Sequence, residues 1–155
     1  MPEKLILPNK FLAIAEDELR AGHSVKLKAD GMSMYPFIRG ARDTVKISPL
    51  KLSEKPRLWH AYLCRWKDKY IIHRLVGEEN GEFIFSGDGN FGQTEIVTSE
   101  NIIGILSRIY RNNGKEIFCD SLSWSRKGKI WHKLLPVRRY LLGVHRRLVK
   151  YGIIK

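Results

Sequence analysis

No acidic residue follows Asp120. The same stretch holds Arg126, Lys127, Lys129, Lys133, Arg138, Arg139, Arg146, Arg147, Lys150 and Lys155. It therefore carries +10 of the chain's net +12 and leaves the body nearly neutral. A segment of one charge sign points to an anionic partner, either lipid head groups or nucleic acid. Cysteine is also scarce. Cys64 and Cys119 stand far apart, cannot complete a structural zinc site and have no suitably spaced histidine, so they read as small buried hydrophobes. No metal and no cofactor is expected. Long hydrophobic runs are missing too: nothing approaches the roughly 20 apolar residues that span a bilayer. Met1-Pro2-Glu3-Lys4 leads only into a short apolar run ending at Pro8, which is not a secretory signal. The expected location is the cytoplasm, with peripheral contact at the inner face of the membrane as an extension of that reading.

At 155 residues the chain has room for one domain with a real core. Asn9 to Arg20 reads as a helix with Phe11, Leu12, Ala15 and Leu19 on one face, ended by Ala21-Gly22. Ser24–Ala29, Thr44–Ile47, Trp59–Trp66, Lys69–Val76, Glu82–Ser86, Asn101–Arg111 and Glu116–Cys119 read as strands. Lys67-Asp68 and Asn80-Gly81 are expected to turn hairpins. From Lys129 onward Trp131, Leu134, Leu135, Leu141, Leu142, Leu148 and Val149 gather on one side of a helical wheel, with cations opposite. Arg138 and His145 intrude on the apolar side, and Pro136 starts a second part. The expectation is a mostly-β domain over 23–120, an N-terminal helical segment over 1–22 and basic amphipathic helices over 121–155.

The chemistry gathers in three places. Ser33 lies in Gly31-Met32-Ser33-Met34-Tyr35-Pro36, where Gly31 permits a tight backbone approach, Pro36 fixes the chain and Met34 is expected to line an apolar pocket. A serine hydroxyl needs a neighbouring base to become a nucleophile. His73 interrupts an apolar strand and, by period-2 geometry, shares a face with Ile71 and Leu75, where its imidazole needs a partner. A neutral imidazole near pH 7 suits general-base work. Asp88 lies in Gly87-Asp88-Gly89-Asn90. That is an ordinary turn composition, but beside the other two motifs it offers an acid to orient the histidine.

These motifs resemble the boxes of the type I signal peptidase and LexA-like serine peptidases. Gly31 to Pro36 is similar to the nucleophile box, and Ile72-His73-Arg74-Leu75 to the base box in its histidine form. Gly87 to Asn90 is similar to the acidic Gly-Asp-x-Asn box. Asp43-Thr44-Val45 resembles a structural Gly-Asp-x-Val segment, with Arg42 in place of the glycine. The likeness runs from about Gly22 to Leu106. It implies a LexA/signal-peptidase-like β fold and a serine peptidase in which Ser33 attacks, His73 takes the proton and Asp88 holds His73. It also implies an oxyanion region near Gly31, Met34 and Pro36, with the Ser33 N–H as donor, and substrates with small residues beside the cut. Histidine-type members often carry a second aspartate six positions after the first. Here that position is Thr94, so Asp88 is expected to act alone. Signal peptidases carry a membrane anchor for which this chain offers no apolar run, so the closer likeness is to short soluble members. The implied function is endoproteolytic cleavage of a leader or signal-type peptide, with the basic tail at an anionic membrane surface and nucleic acid as the second choice of partner. One rival is a LexA-type regulator that cuts itself at Ala21-Gly22. The other is a non-catalytic module that works through its tail.

Overall fold

The computed structural model describes residues 9–51 and 53–154. The start of the chain through Pro8, read above for a secretory signal, lies outside the described residues. The order is α1 (Asn9–Arg20), β1 (Val25–Lys28), β2 (Thr44–Pro49), β3 (Ala61–Trp66), β4 (Lys69–Glu79) and β5 (Glu82–Ser86). Then come β6 (Glu95–Val97), β7 (Ile102–Tyr110), β8 (Glu116–Phe118), α2 (Leu122–Lys133) and α3 (Leu135–Lys150). The strands pair antiparallel in the order β1-β2-β7-β3-β4-β5-β6, with β8 beside β7. The sheet curls into a half-barrel. This is the mostly-β architecture expected, with the short helix before it and two helices after it. The strand β6 was not expected, because three residues are too few to show an alternation.

Local chemistry explains the hairpins. Lys67 takes a left-handed φ of 54° between β3 and β4. Asn80 and Gly81 take φ of 51° and 77° between β4 and β5, the mirror-image turn whose twist matches that of the strands it joins.

The curl divides the apolar residues between two clusters, and β3 serves both. Ala61 and Leu63 face a cluster with Val45, Ile47, Leu106 and Ile109, to which α1 adds Ala15 and Leu19 and α2 adds Trp124. Tyr62 and Cys64 face the other way, against Leu75, Phe83, Phe85, Val97 and Ile102. A strand buried on both faces reads as a continuous apolar run, as Ala61-Tyr62-Leu63-Cys64 does. Full burial of each such side chain contributes about 1.5–3 kcal/mol. Both cysteines are free and buried. Burial pushes both thiols up, that of Cys119 to about 12, which makes them the inert hydrophobes expected.

The helical tail begins at Leu122, within the 121–155 expected for it. Ser121 caps α2, its hydroxyl accepting from the Trp124 N–H at 3.2 Å. Pro136 sits in the first turn of α3, where its missing N–H costs nothing. Arg138 and His145, the two intruders on the apolar face, mark the side that docks. Arg138 is buried and donates to the carbonyls of Gly87 and Asn90. A hydrogen bond joins His145 Nδ1 to the Tyr35 hydroxyl.

Candidate active site

Two strand edges define the site. Among the described residues β1 ends the sheet and pairs only with β2. β4 pairs with β3 from Lys69 to Arg74, but β5 joins its other edge only from Arg74 onward. The edge of β4 before His73 is therefore open on that side among the described residues. A cleft of about 290 Å³ lies between these edges. Leu27, Lys28, Ala29 and Asp30 line one wall, and Tyr70, Ile71, Ile72 and His73 line the other. Leu12 of α1 reaches it, and Ser33, Met34, Ile38 and Leu63 complete it. The structure thus brings Ser33 and His73, forty residues apart in sequence, to one cleft.

The loop that carries Ser33 rests on the loop that carries Asp88. Gly89 N–H donates to the Ser33 carbonyl at 2.8 Å, and Asp88 N–H points to Met34 Sδ at 3.5 Å. Such contact requires glycine. A Cβ on Gly89 would meet the Met32 carbonyl at 2.5 Å. One on Gly87 would lie 2.5 Å from the Ser33 carbonyl and 3.1 Å from His73 Nε2. The same point thus neighbours both the serine backbone and the imidazole. Among the described residues neither the Ser33 hydroxyl nor its N–H is engaged in a hydrogen bond, so the expected nucleophile and the expected oxyanion donor are both unengaged. Hydrogen bonds between nucleophile and base are commonly loose before substrate arrives.

His73 is held, though not by Asp88. Its Nδ1–H donates to Glu95 Oε2 at 2.8 Å, with both side chains buried. That bond fixes the tautomer and leaves Nε2, on the side of Ser33 and Gly87, as the lone pair that can take a proton. The orienting role expected of Asp88 is thus filled by Glu95, from the unforeseen strand β6. Asp88 instead receives a two-pronged hydrogen bond from Arg74, Nε to Oδ1 at 2.8 Å and Nη2 to Oδ2 at 2.7 Å. Arg74 is fully buried, donates to the Trp59 carbonyl and lies 4.9 Å from the Phe37 ring and 4.7 Å from the Trp124 ring. Adjacent residues of β4 point to opposite faces. His73 accordingly serves the cleft while Arg74 serves the packing behind it.

The remaining site residues divide similarly. Met34 lines the cleft as expected. Gly31, at a φ of 74°, and Pro36, after a cis peptide bond, shape the loop but are not among the residues that line the cleft. Asp43 is structural: its carboxylate accepts from the Arg39 N–H at 2.7 Å and from Arg111. Ala21 and Gly22 close α1 away from the cleft lining, with Gly22 at a φ of 92°.

The helices reinforce both loops. Trp131 Nε1 donates to the Asp88 carbonyl at 2.6 Å, and the Arg138 contacts hold the same turn. A Cβ on Gly128 would fall within the Arg74 guanidinium, so α2 can approach only because residue 128 is glycine. α1 is anchored by Glu16, which accepts from Tyr70 at 2.7 Å, from Arg20 at 2.9 Å and from Arg65. Burial alone would raise the Glu16 pKa, but these donors outweigh it and hold the carboxyl below its ordinary value.

Glu95 and Arg74 are the members the sequence reading missed. A carboxylate two residues before Val97 in a short apolar run is a detectable signal, since the two share a face and Val97 is buried. Thr94, where the resemblance puts a second acid, is one residue short of it. Among the described residues no cluster of His, Cys, Asp and Glu could hold a metal ion, and no helix is long and apolar enough to cross a membrane. No protein-family model and no curated protein matches this chain.

Proposed function

We propose that this chain is a serine endopeptidase with a LexA/signal-peptidase-like fold, cleaving an extended leader or signal-type peptide through Ser33, His73 and Glu95. One observation carries the reading. An imidazole tied at Nδ1 to a buried carboxylate has its Nε2 close to the backbone of an unengaged serine, in a cleft between two strand edges that are open among the described residues. Open edges suit a peptide, whose backbone can continue the ladder while its side chains enter the cleft. In the proposed reaction Ser33 Oγ bonds to the scissile carbonyl carbon as His73 Nε2 takes the hydroxyl proton. The Ser33 N–H receives the developing oxyanion. His73 then gives the proton to the leaving amine as the C–N bond breaks, and water releases the acyl group by the same route. Glu95 steadies the imidazolium throughout.

Mass spectrometry of a mixed peptide library, incubated with the wild-type chain and with Ser33→Ala, tests this. New termini produced only by the wild type, with small residues beside the cut, are expected. Identical peptide profiles from both proteins would reject a peptidase. Intact mass followed over time separates cleavage of other chains from self-cleavage at Ala21-Gly22.

A second proposal concerns location and rests on a separate observation. Ile130, Leu134, Val137, Leu141 and Val144 are all exposed, and they recur every three or four residues along α2 and α3. The docked face uses Leu142, Arg138 and His145 instead. The tail therefore keeps an apolar stripe outward after docking, in a segment with ten cations and no acid. That combination fits the surface of an anionic bilayer. Sedimentation with phosphatidylglycerol vesicles, lost on Leu141→Glu and weak with phosphatidylcholine, is the expected result. Equal recovery of the variant would reject the stripe as the contact.

A further inference from the structure

Ser33 sits between two pinned peptide units. The Met32 carbonyl accepts from the Tyr35 N–H at 3.1 Å, and the Ser33 carbonyl accepts from the Gly89 N–H at 2.8 Å. A peptide unit is planar, so fixing the Met32 carbonyl also fixes the Ser33 N–H on the opposite edge. The Gly89 N–H is itself aimed from the tail. It shares one peptide plane with the Asp88 carbonyl, and that carbonyl accepts from Trp131 Nε1 of α2 at 2.6 Å. Arg138 of α3, which is buried, donates from Nη2 to the Gly87 carbonyl at 3.4 Å and to the Asn90 carbonyl, on either side of the same peptide. We infer that Trp131 and Arg138 are positioning residues for Ser33, acting through the Gly87–Asn90 turn, a role that rests on the peptidase reading above.

The connection is short. One hydrogen bond joins α2 to the Asp88–Gly89 peptide, and a second joins that peptide to Ser33. Hydrogen bonds in such a chain strengthen one another. The Trp131 ring also packs in a T-shaped arrangement on Phe37, in the segment that follows Ser33, with centroids 6.2 Å apart. The bond between His145 and Tyr35 ties α3 to the same segment. Gly87 lies beside the imidazole, since a Cβ there would come 3.1 Å from His73 Nε2. Movement of the turn would therefore displace the Ser33 carbonyl and alter the space beside Nε2. Preorganised geometry lowers the barrier in such a site, and a small misplacement of the reacting groups lowers turnover more than it weakens binding. The tail helices thus serve the reaction as well as any surface they meet.

The test uses the full chain and reads two quantities. Trp131→Phe removes one donor and keeps an aromatic ring, and Arg138→Met keeps an extended side chain without its donors. Amide exchange at Gly89, followed by NMR and referred to the urea stability of each variant, should speed up about tenfold in both, as the loss of a hydrogen bond would cause. In peptide cleavage both should lower kcat by about tenfold or more with little change in KM. Arg138→Lys, which restores a charged donor, should recover part of each loss. Arg139→Met, at the exposed neighbour in α3, should leave Gly89 exchange as in the wild type. Unchanged Gly89 exchange in a folded variant, or unchanged kcat beside Ser33-dependent cleavage by the wild type, would overturn the role and leave the peptidase reading standing. A wild type that cuts no peptide, while Gly89 exchange still responds to Trp131→Phe, would instead reject the peptidase reading and the catalytic role with it.

Discussion

Glu95 and Asp88 are both buried carboxylates, yet only Glu95 bonds to His73, and Asp88 bonds to Arg74 instead. Their substitutions should therefore separate cleanly. Glu95→Gln keeps the shape of the site but weakens the hold on the tautomer and removes the charge opposite the imidazolium. It should lower kcat by roughly 10²–10⁴-fold with little change in KM. Asp88→Asn leaves Arg74 buried without its counter-charge and should cost about 3–5 kcal/mol of stability. Urea unfolding alongside peptide cleavage distinguishes the two. A large loss of stability from Glu95→Gln with an unchanged rate in the folded fraction would reverse the assignment. At this scale the sequence singled out Ser33 and His73, which line one cleft, because each breaks the pattern around it. It did not disclose which acid faces which base, since that depends on the strand pairing that lays β6 against β5. Arg74 stayed hidden because nothing in the sequence tells a buried arginine from an exposed one.

Among the elements, strands with clear alternation were legible, and so were the hairpin turns at Lys67-Asp68 and Asn80-Gly81. Short β6 was not, whereas the helical tail expected over 121–155 starts at Leu122, one residue after its Ser121 cap. The docking of α2 turns on Gly128, packed against Arg74. Alanine in an exposed helix interior is favoured over glycine by about 1 kcal/mol. At this position the sign should reverse. Gly128→Ala is expected to destabilise by about 1–3 kcal/mol through overpacking against the guanidinium, read as a lower urea midpoint with an unchanged m-value. A higher midpoint would mean that α2 does not press on Arg74.

The whole molecule ties its basic tail to its chemistry, and its histidines give that tie a pH signature. His60, His132 and His145 are each held below the ordinary 6.5, with burial as the first cause in every case. His132 and His145 belong to the tail helices, and His60 accepts no water-facing role, its Nδ1 lying 3.2 Å from the Cys119 carbonyl. The unfolded chain binds protons at these sites before the folded one does. Their stabilising contribution is therefore full above pH 6.5 and is lost as pH falls through the lower, folded values. Tm should decline from pH 7 toward pH 5, and a flat profile for His132→Gln/His145→Gln over that window would assign the decline to the tail. A wild-type Tm that rises toward pH 5 would contradict the burial of these rings.

In the proposed site Ser33 and His73 work together with Glu95 behind them. A crystal structure with a peptide aldehyde bound tests it most directly. A covalent bond from Ser33 Oγ to the aldehyde carbon is expected, with an extended peptide lying along β1 or β4. His73 Nε2 should lie about 3 Å from the reacting oxygens, with the Nδ1 bond to Glu95 intact. A peptide seated elsewhere, or a Ser33 left unmodified and turned away from His73 beneath a bound aldehyde, would contradict it.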